Sequence, residues 1–452
     1  MLFRRIESEG LAHYSYLVGD RNEAFVIDPR RDCDVYIDEA SKNGYRIAHV
    51  FETHRNEDFV VGSVELAART GAEIWRADGQ LNYRYGGAVK DGQTWKIGRL
   101  KVAAIATPGH TPGSMSYLLH DHGGNPWVIF SGDTLFAGDV GRVDLPGLDR
   151  LQEMANLLYE SLFQKLLLLG DHIIVCPSHG AGSVCGESIA DRAWTTIGLE
   201  RRVNPKLQFR DRKEFVERIA REHDRPPYFL QMEKWNLEGA PVLGALPVPT
   251  PLPAEEFGQK SRDGLVLDTR AEVSFGAAHV PGALSIWLAG VPAYAGWFIP
   301  YDRPVLLVHE INDPSIAVRY LIRLGFDNIA GSLSGGMLEW HAAGLESRSI
   351  RMIPVQSLCE ALDREEAVSI LDIRSDDERN QKGRLAFAQE IPLTQIPGRM
   401  GEVLKNTPVF IFCGTGLRSM VAASLLEREG WQNLVVVLGG LAGWKSTTCP
   451  IV

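Results

Sequence analysis

Five metal-ligating side chains and one cysteine set the chemistry open to this chain. His54 and Asp58 share the segment Thr53-His54-Arg55-Asn56-Glu57-Asp58-Phe59. His110 lies in the turn Thr107-Pro108-Gly109-His110-Thr111-Pro112-Gly113, Asp133 ends the strand-like run from Trp127, and His179 sits in Pro177-Ser178-His179-Gly180. Imidazole and carboxylate donors of this kind suit first-row transition metals. The cysteine is Cys413, in Cys413-Gly414-Thr415-Gly416-Leu417-Arg418-Ser419, which follows a strand-like Val409 to Phe412 and precedes a helix-like Met420 to Glu429. A turn with two glycines lets backbone N–H groups point at the sulfur, while a helix N-terminus and Arg418 favour negative charge there. Such surroundings hold a cysteine as its nucleophilic thiolate.

The elements that position these groups are legible in outline. At 452 residues the chain predicts about three domains of roughly 150 residues each. Its 45% hydrophobic and 23% charged residues are ordinary for a globular protein. A formal charge of -10 argues against a nucleic-acid or anionic-membrane partner. Six cysteines, at 33, 176, 185, 359, 413 and 449, lack the dense spacing of a disulfide scaffold, so reduced thiols are expected. The N-terminus shows no signal-peptide core, and no apolar run is long enough to span a bilayer. The longest, Leu162 to Leu169, reads as a buried helix face, and a cytoplasmic enzyme is expected. Prolines at 241, 247, 249, 251 and 253 mark a linker, placed at 241–256.

Beyond the linker the sequence repeats at an offset of 104 residues, 372 minus 268. Val266-Leu267-Asp268-Thr269-Arg270 matches Ile370-Leu371-Asp372-Ile373-Arg374, and Gly335-Gly336 with Trp340 matches Gly439-Gly440 with Trp444. Short β-branched runs, clearest at Val305 to Val308 and Val409 to Phe412, alternate with amphipathic segments, which predicts parallel sheets covered by helices. In the first copy the offset puts His309 where the second has Cys413, and Pro314 where it has Arg418. The first copy's loop, His309 to Ser315, has therefore lost nucleophile and anion binder and should serve as a spacer or docking surface.

The order of His54, Asp58, His110, Asp133 and His179 resembles the metallo-β-lactamase superfamily, in which a His-x-His-x-Asp-His loop feeds two adjacent metals. Here Asn56 and Phe59 occupy two of the ligand positions. The persulfide dioxygenases of that superfamily use the positions of His54, His110 and Asp133 for one iron, and two imidazoles with one carboxylate form the facial triad of non-haem Fe(II) oxygenases. The resemblance implies one Fe(II) per chain, with zinc as the alternative, and leaves Asp58 and His179 to support the ligands or bind a second metal. A zinc thioester hydrolase of the glyoxalase II type also resembles this part of the chain, but would lose one ligand from each of its two metals. A third reading keeps a metal-free domain as a scaffold for a lone sulfurtransferase.

The Asp-x-Arg opening, the Gly-Gly-x-x-x-Trp close, the element His279-Val280-Pro281-Gly282-Ala283 and the Cys413 loop resemble the rhodanese sulfurtransferases. That resemblance makes Cys413 the persulfide carrier, Arg418 its catalytic partner, and Gly414, Thr415, Gly416, Leu417 and Ser419 the loop around the sulfur. The whole is similar to bacterial fusions of a persulfide dioxygenase with two rhodanese domains. The expected architecture is an N-terminal αββα metallo-β-lactamase sandwich at 1–240, then α/β rhodanese domains with parallel sheets, an inactive copy at 257–348 and an active one at 349–452. Implied substrates are a low-molecular-weight thiol persulfide, O2 and sulfite or thiosulfate, with no nucleic-acid or membrane partner and a homo-oligomeric assembly. Arg142, Arg201 and Arg202 are candidates for gripping a substrate carboxylate through forked hydrogen bonds. Cys185 resembles a cysteine found near the metal in such fusions and is a candidate for taking up persulfide.

Overall fold

The computed structural model describes every residue except 311–312, 365–367, 406, 448 and 450–452. Ile311 and Asn312 of the first copy's loop thus lie outside the described residues. Contacts gather the chain into two compact units, Met1–Leu246 with Ile322–Gly325, and Pro247–Leu321 with Phe326–Val452.

The first unit is built on two six-stranded sheets. One sheet keeps its strands in chain order from Leu2–Ser8 to Gly87–Ala88, and the other runs from Thr94–Ile97 to Thr195–Thr196. Alternating apolar residues of both sheets, among them Tyr16, Phe25, Phe51, Val102, Tyr117 and Phe130, form one shared core, as expected of stacked sheets with a dry interior. The outer face of the first sheet is covered by the helices Asp34–Lys42 and Ser63–Thr70 through Tyr36, Ala40 and Leu66. Helices Leu151–Phe163 and Arg212–Ile219 cover the second through Met154, Leu158, Leu162 and Phe215. The layers are therefore αββα, with one sheet face per helix layer.

Parallel strands end at the same edge and place loops there. Arg46–Glu52 pairs in parallel with Glu23–Ile27 and Glu73–Arg76 and runs straight into Thr53 and His54. Pro126–Gly132 pairs in parallel with Ile174–Pro177, so Asp133 and His179 leave neighbouring strands side by side. His110 comes from the turn joining Leu100–Ala106 to Met115–His120. Gly132 sits at φ 54°, and a Cβ there would lie 2.7 Å from the Thr53 side chain. Only glycine lets the Asp133 strand cross so close to the His54 loop.

The second unit holds two five-stranded sheets that repeat one topology. All pairings are parallel, with Leu265–Asp268 between Val305–Val308 and Leu284–Ser285, and Ser369–Asp372 between Val409–Phe412 and Gln389–Glu390. The repeat extends to individual bonds: Arg270 forks onto Asp268 and Arg374 onto Asp372 with the same atoms, fixing the strand-to-helix turn. Pro251–Leu252, within the stretch expected to be linker, is instead an edge strand pairing with Ile329–Leu333. An edge position leaves the proline's missing N–H without cost. Cys359 and Cys449 form a disulfide across 90 residues, whereas Cys33, Cys176, Cys185 and Cys413 are free. The expectation of reduced thiols throughout is thus corrected for this pair, whose cysteines the fold brings together from opposite ends of the last domain. Among the described residues no helix is long and apolar enough to cross a membrane.

Candidate functional site

His54, His110 and Asp133 converge in the first unit, each no more than 2% exposed. Asp133 Oδ2 lies 3.7 Å from His54 Nε2 and 3.4 Å from His110 Nε2, and the two rings meet edge to face at 4.9 Å. Neither Nε2 has a hydrogen-bond partner. Each ring is fixed from behind: His110 Nδ1 donates to the Arg142 carbonyl at 2.9 Å, and His54 Nδ1 donates to Thr53 Oγ1 at 2.8 Å, which donates onward to Asp28 Oδ2. These bonds place the free lone pair of each imidazole on Nε2, the tautomer a metal ligand needs. Burial lowers His54 to about 3, against the pull of Asp133, and lowers His110 as well, so both rings are neutral.

His179 lies between two carboxylates. Its Nδ1 is 2.8 Å from Asp133 Oδ1 and its Nε2 is 3.0 Å from Asp58 Oδ2. Burial alone would lower it, but Asp133 and Asp58 raise it well above the ordinary range. Burial works against the charge of Asp133 too, yet the charge and hydrogen bond of His179 hold that carboxyl below its ordinary range. Both His179 nitrogens are thus donors, which orients Asp133 and leaves no lone pair on His179 for a cation. Cys185 is buried within 4.8 Å of His110 and Asp133, and within the same distance of Asp58 and His179. Burial pushes its thiol up.

Two residues that sequence reasoning missed complete this surrounding. Glu57 is buried beside His110, its Oε2 3.9 Å from Nε2 and without a hydrogen-bond partner, while Arg55 donates to its Oε1 at 3.1 Å. Burial pushes its carboxyl to about 8, against Arg55. His13 packs its ring 4.0 Å from that of Phe59, so the position that would carry a fourth imidazole is filled by an aromatic pair. Glu57 stands inside the motif itself, but nothing about its spacing marks it.

Arg142 departs from its expected role. Its guanidinium forks onto Asp144 at 2.7 Å through Nε and Nη2, and its other donors bond the carbonyls of Val184, Asp224 and His223. All five N–H donors are spent, and what the site receives from Arg142 is its carbonyl, on His110. Arg201 bonds the Leu167 carbonyl and pairs with Asp171, and Arg202 bonds the Gly198 carbonyl, both on the helix Ile197–Val203.

In the second unit Cys413 is buried at the end of Val409–Phe412, and the Gly416 N–H donates to its sulfur at 3.1 Å. The back of the loop is held by the Gly-Gly motif: the N–H groups of Leu441, Ala442 and Gly439 bond the carbonyls of Cys413, Gly414 and Thr415. A Cβ on Gly440 would come within 2.2 Å of the Cys413 carbonyl, which gives the repeated glycine its reason. Leu417 opens the helix Leu417–Arg428, and Ser419 is buried within its first turn. Arg418 forks onto Glu378 at 2.6 and 2.7 Å, and this bonding lowers Glu378 to about 2. Tyr294, from the first copy's helix Val291–Phe298, lies within electrostatic reach of Arg418 and of Cys413. No motif announced Tyr294 or Glu378. The first copy keeps a cavity of about 330 Å3, lined by His309, Glu310, Asp313, Pro314 and Leu417 among others.

Sequence families agree with this division. The metallo-β-lactamase superfamily matches residues 9–179, and the rhodanese-like domain matches 253–343 and 355–447. The mitochondrial persulfide dioxygenase ETHE1 of Bos taurus is 29% identical over 218 residues, covering 46% of this chain and 76% of that protein. Hydroxyacylglutathione hydrolase GloC of Haemophilus influenzae is 27% identical over 214 residues, covering 43% and 91%. A crystal structure of a metallo-β-lactamase from Staphylococcus aureus subsp. aureus COL is 30% identical with a TM-score of 0.66, covering 74% of this chain and 98% of that one.

Proposed function

Since the chain belongs to the metallo-β-lactamase superfamily and carries two rhodanese-like domains, we propose that it oxidises a low-molecular-weight thiol persulfide with O2 at one iron and moves sulfane sulfur through Cys413. The observation that carries this reading is the pair of unpartnered, buried Nε2 atoms facing one oxygen of Asp133, beside a second-metal position closed by Phe59 against His13. A dinuclear hydrolase needs that position open. Similarity to the persulfide dioxygenase supports the oxygenase, and similarity to the hydrolase GloC supports only the shared scaffold once those ligands are gone.

The residues present fit a single cation: two neutral imidazoles with fixed tautomers and a carboxylate oriented by His179. His54, His110 and Asp133 would hold it. Bound there, Fe(II) supplies the redox chemistry that O2 requires. Burial keeps His54 and His110 unprotonated, the Thr53–Asp28 and Arg142 hydrogen bonds fix their tautomers, and His179, held by Asp58, keeps Asp133 charged and aimed. The reaction balances as RSSH + O2 + H2O giving RSH, sulfite and two protons. At the second site the Cys413 thiolate takes the outer sulfur of a second RSSH, breaking its S–S bond and releasing RSH, and holds it as Cys–S–S⁻; transfer of that sulfur to sulfite restores the thiolate and yields thiosulfate, with the reverse exchange equally available. The Gly416 N–H and the start of Leu417–Arg428 favour the anionic sulfur, and Glu378 holds Arg418 through its forked bonds.

Protein purified without added metal should contain one iron per chain and consume O2 with glutathione persulfide, and His110→Ala should lose both. Zinc with thioester cleavage, or metal-free protein inert to persulfide, would overturn the proposal. Thiosulfate:cyanide sulfur transfer lost in Cys413→Ser but kept in His110→Ala checks that Cys413 works on its own.

A further inference from the structure

We propose that Glu57 is a fourth protein ligand to the metal, a carboxylate supplied by the same loop whose Asn56 and Phe59 stand where two imidazoles are missing. This inference rests on the metal reading above and deepens it. Glu57 is 1% exposed, and its Oε2 has no hydrogen-bond partner. A buried carboxylate oxygen left unpaired costs stability, so a fold that keeps one there has a use for it. Oε2 joins His54 and His110 in a group whose ligand atoms all lie within 4.8 Å of one another, and it is 3.9 Å from His110 Nε2. Donors bonded to one cation at about 2.1 Å stand about 3.0–3.4 Å apart between right-angled and tetrahedral geometry. The 3.4 Å from His110 to Asp133 is already there, and Glu57 must close by about half an ångström, within reach of a side-chain rotation.

The two carboxylates are held alike. Asp133 is gripped through Oδ1 by His179, and Glu57 through Oε1 by Arg55. Each has a cationic partner on its outer side and an oxygen toward the imidazoles. The site is then two histidines and two carboxylates, whose charges match a divalent cation. Its oxygen-rich donor set suits iron or manganese better than a thiolate-loving metal. Four protein donors also leave fewer open positions than a facial triad would.

The test is Co(II) titration of the metal-free full-length protein, followed by absorption and by competition with a chromophoric chelator. Glu57→Gln should weaken Co(II) binding at least tenfold and change the visible spectrum, while the metal-free variant melts close to the parent because glutamine has the same shape and its Oε1 still accepts from Arg55. Glu57→Asp keeps the charge but withdraws the oxygen by one methylene, and should weaken binding as well. Affinity within twofold of the parent in both variants, or a weakening in Glu57→Gln fully reversed in Glu57→Asp, would overturn the ligand role. A parent that binds no Co(II) or iron would overturn the metal centre itself, which separates the two failures.

Discussion

Tyr294→Phe asks whether the first rhodanese copy helps build the site of the second. The substitution removes one oxygen and keeps the ring, which packs 5.5 Å from Trp287 and stacks at 6.4 Å on Phe298. Burial keeps the Tyr294 hydroxyl protonated at neutral pH, within electrostatic reach of both Arg418 and Cys413. A hydroxyl that closes on a charged group as a hydrogen-bond partner when substrate binds contributes about 1.5–3 kcal/mol. Arg418 keeps its fork to Glu378, and the ring is partly exposed, so the lower end applies. About 1.4 kcal/mol is tenfold in rate, and kcat/KM for thiosulfate:cyanide transfer should fall about tenfold. The melting temperature and the O2 uptake of the first unit should not change. A kcat/KM within twofold of the parent would refute the claim that Tyr294 acts with Arg418, and with it the idea that the first copy does more than fill space.

Two further outcomes follow from the same unit. Glu378 titrates near 2 when folded, below its ordinary 4.5, so the pair with Arg418 contributes stability above about pH 4.5 that is lost as pH falls toward 2. In acid unfolding Glu378→Gln should be less stable than the parent at neutral pH and converge with it across that window; a constant difference down to pH 2 would contradict the pairing. The Cys359–Cys449 bond closes a loop spanning 90 residues, for which the chain-entropy picture gives about 4–5 kcal/mol. Reduction or Cys449→Ser should therefore lower the melting point of the last domain, and an unchanged melt in dithiothreitol would show the bond to be dispensable.

What the sequence made legible was whatever chemistry writes into short, contiguous segments. The Cys413 loop, the Asp-x-Arg turns and the Gly-Gly-x-x-x-Trp closes each occupy a few adjacent residues, because backbone geometry around a sulfur or a strand end is local. The two parallel sheets followed from the offset of 104, which repeats down to the Arg270–Asp268 and Arg374–Asp372 forks. Contributions that arrive from elsewhere in the chain were hidden. Tyr294 reaches Arg418 from another copy, Glu378 from a helix cap, and Cys449 finds Cys359 only once the domain closes. Arg142 shows the opposite case: the resemblance of its segment to the family suggests substrate binding, yet its donors are taken by Asp144 and three carbonyls.

The lost histidines are better understood through their replacements than as gaps. Removing an imidazole from a buried site leaves a cavity and unbalanced charge, and both must be settled for the fold to persist. Phe59 fills the space and packs on His13, which itself is lowered well below the ordinary histidine range by burial and by His179, and so adds no charge. His179 has meanwhile been drawn into bonds with Asp58 and Asp133 at both nitrogens. In the proposed site His179 thus orients the Asp133 carboxylate instead of offering a lone pair of its own. Decay of a metal site would leave donors partnered with one another or open to water. Here His54, His110 and Glu57 each keep one buried, unpartnered atom directed at the same small volume, an arrangement that costs stability unless a cation takes it up.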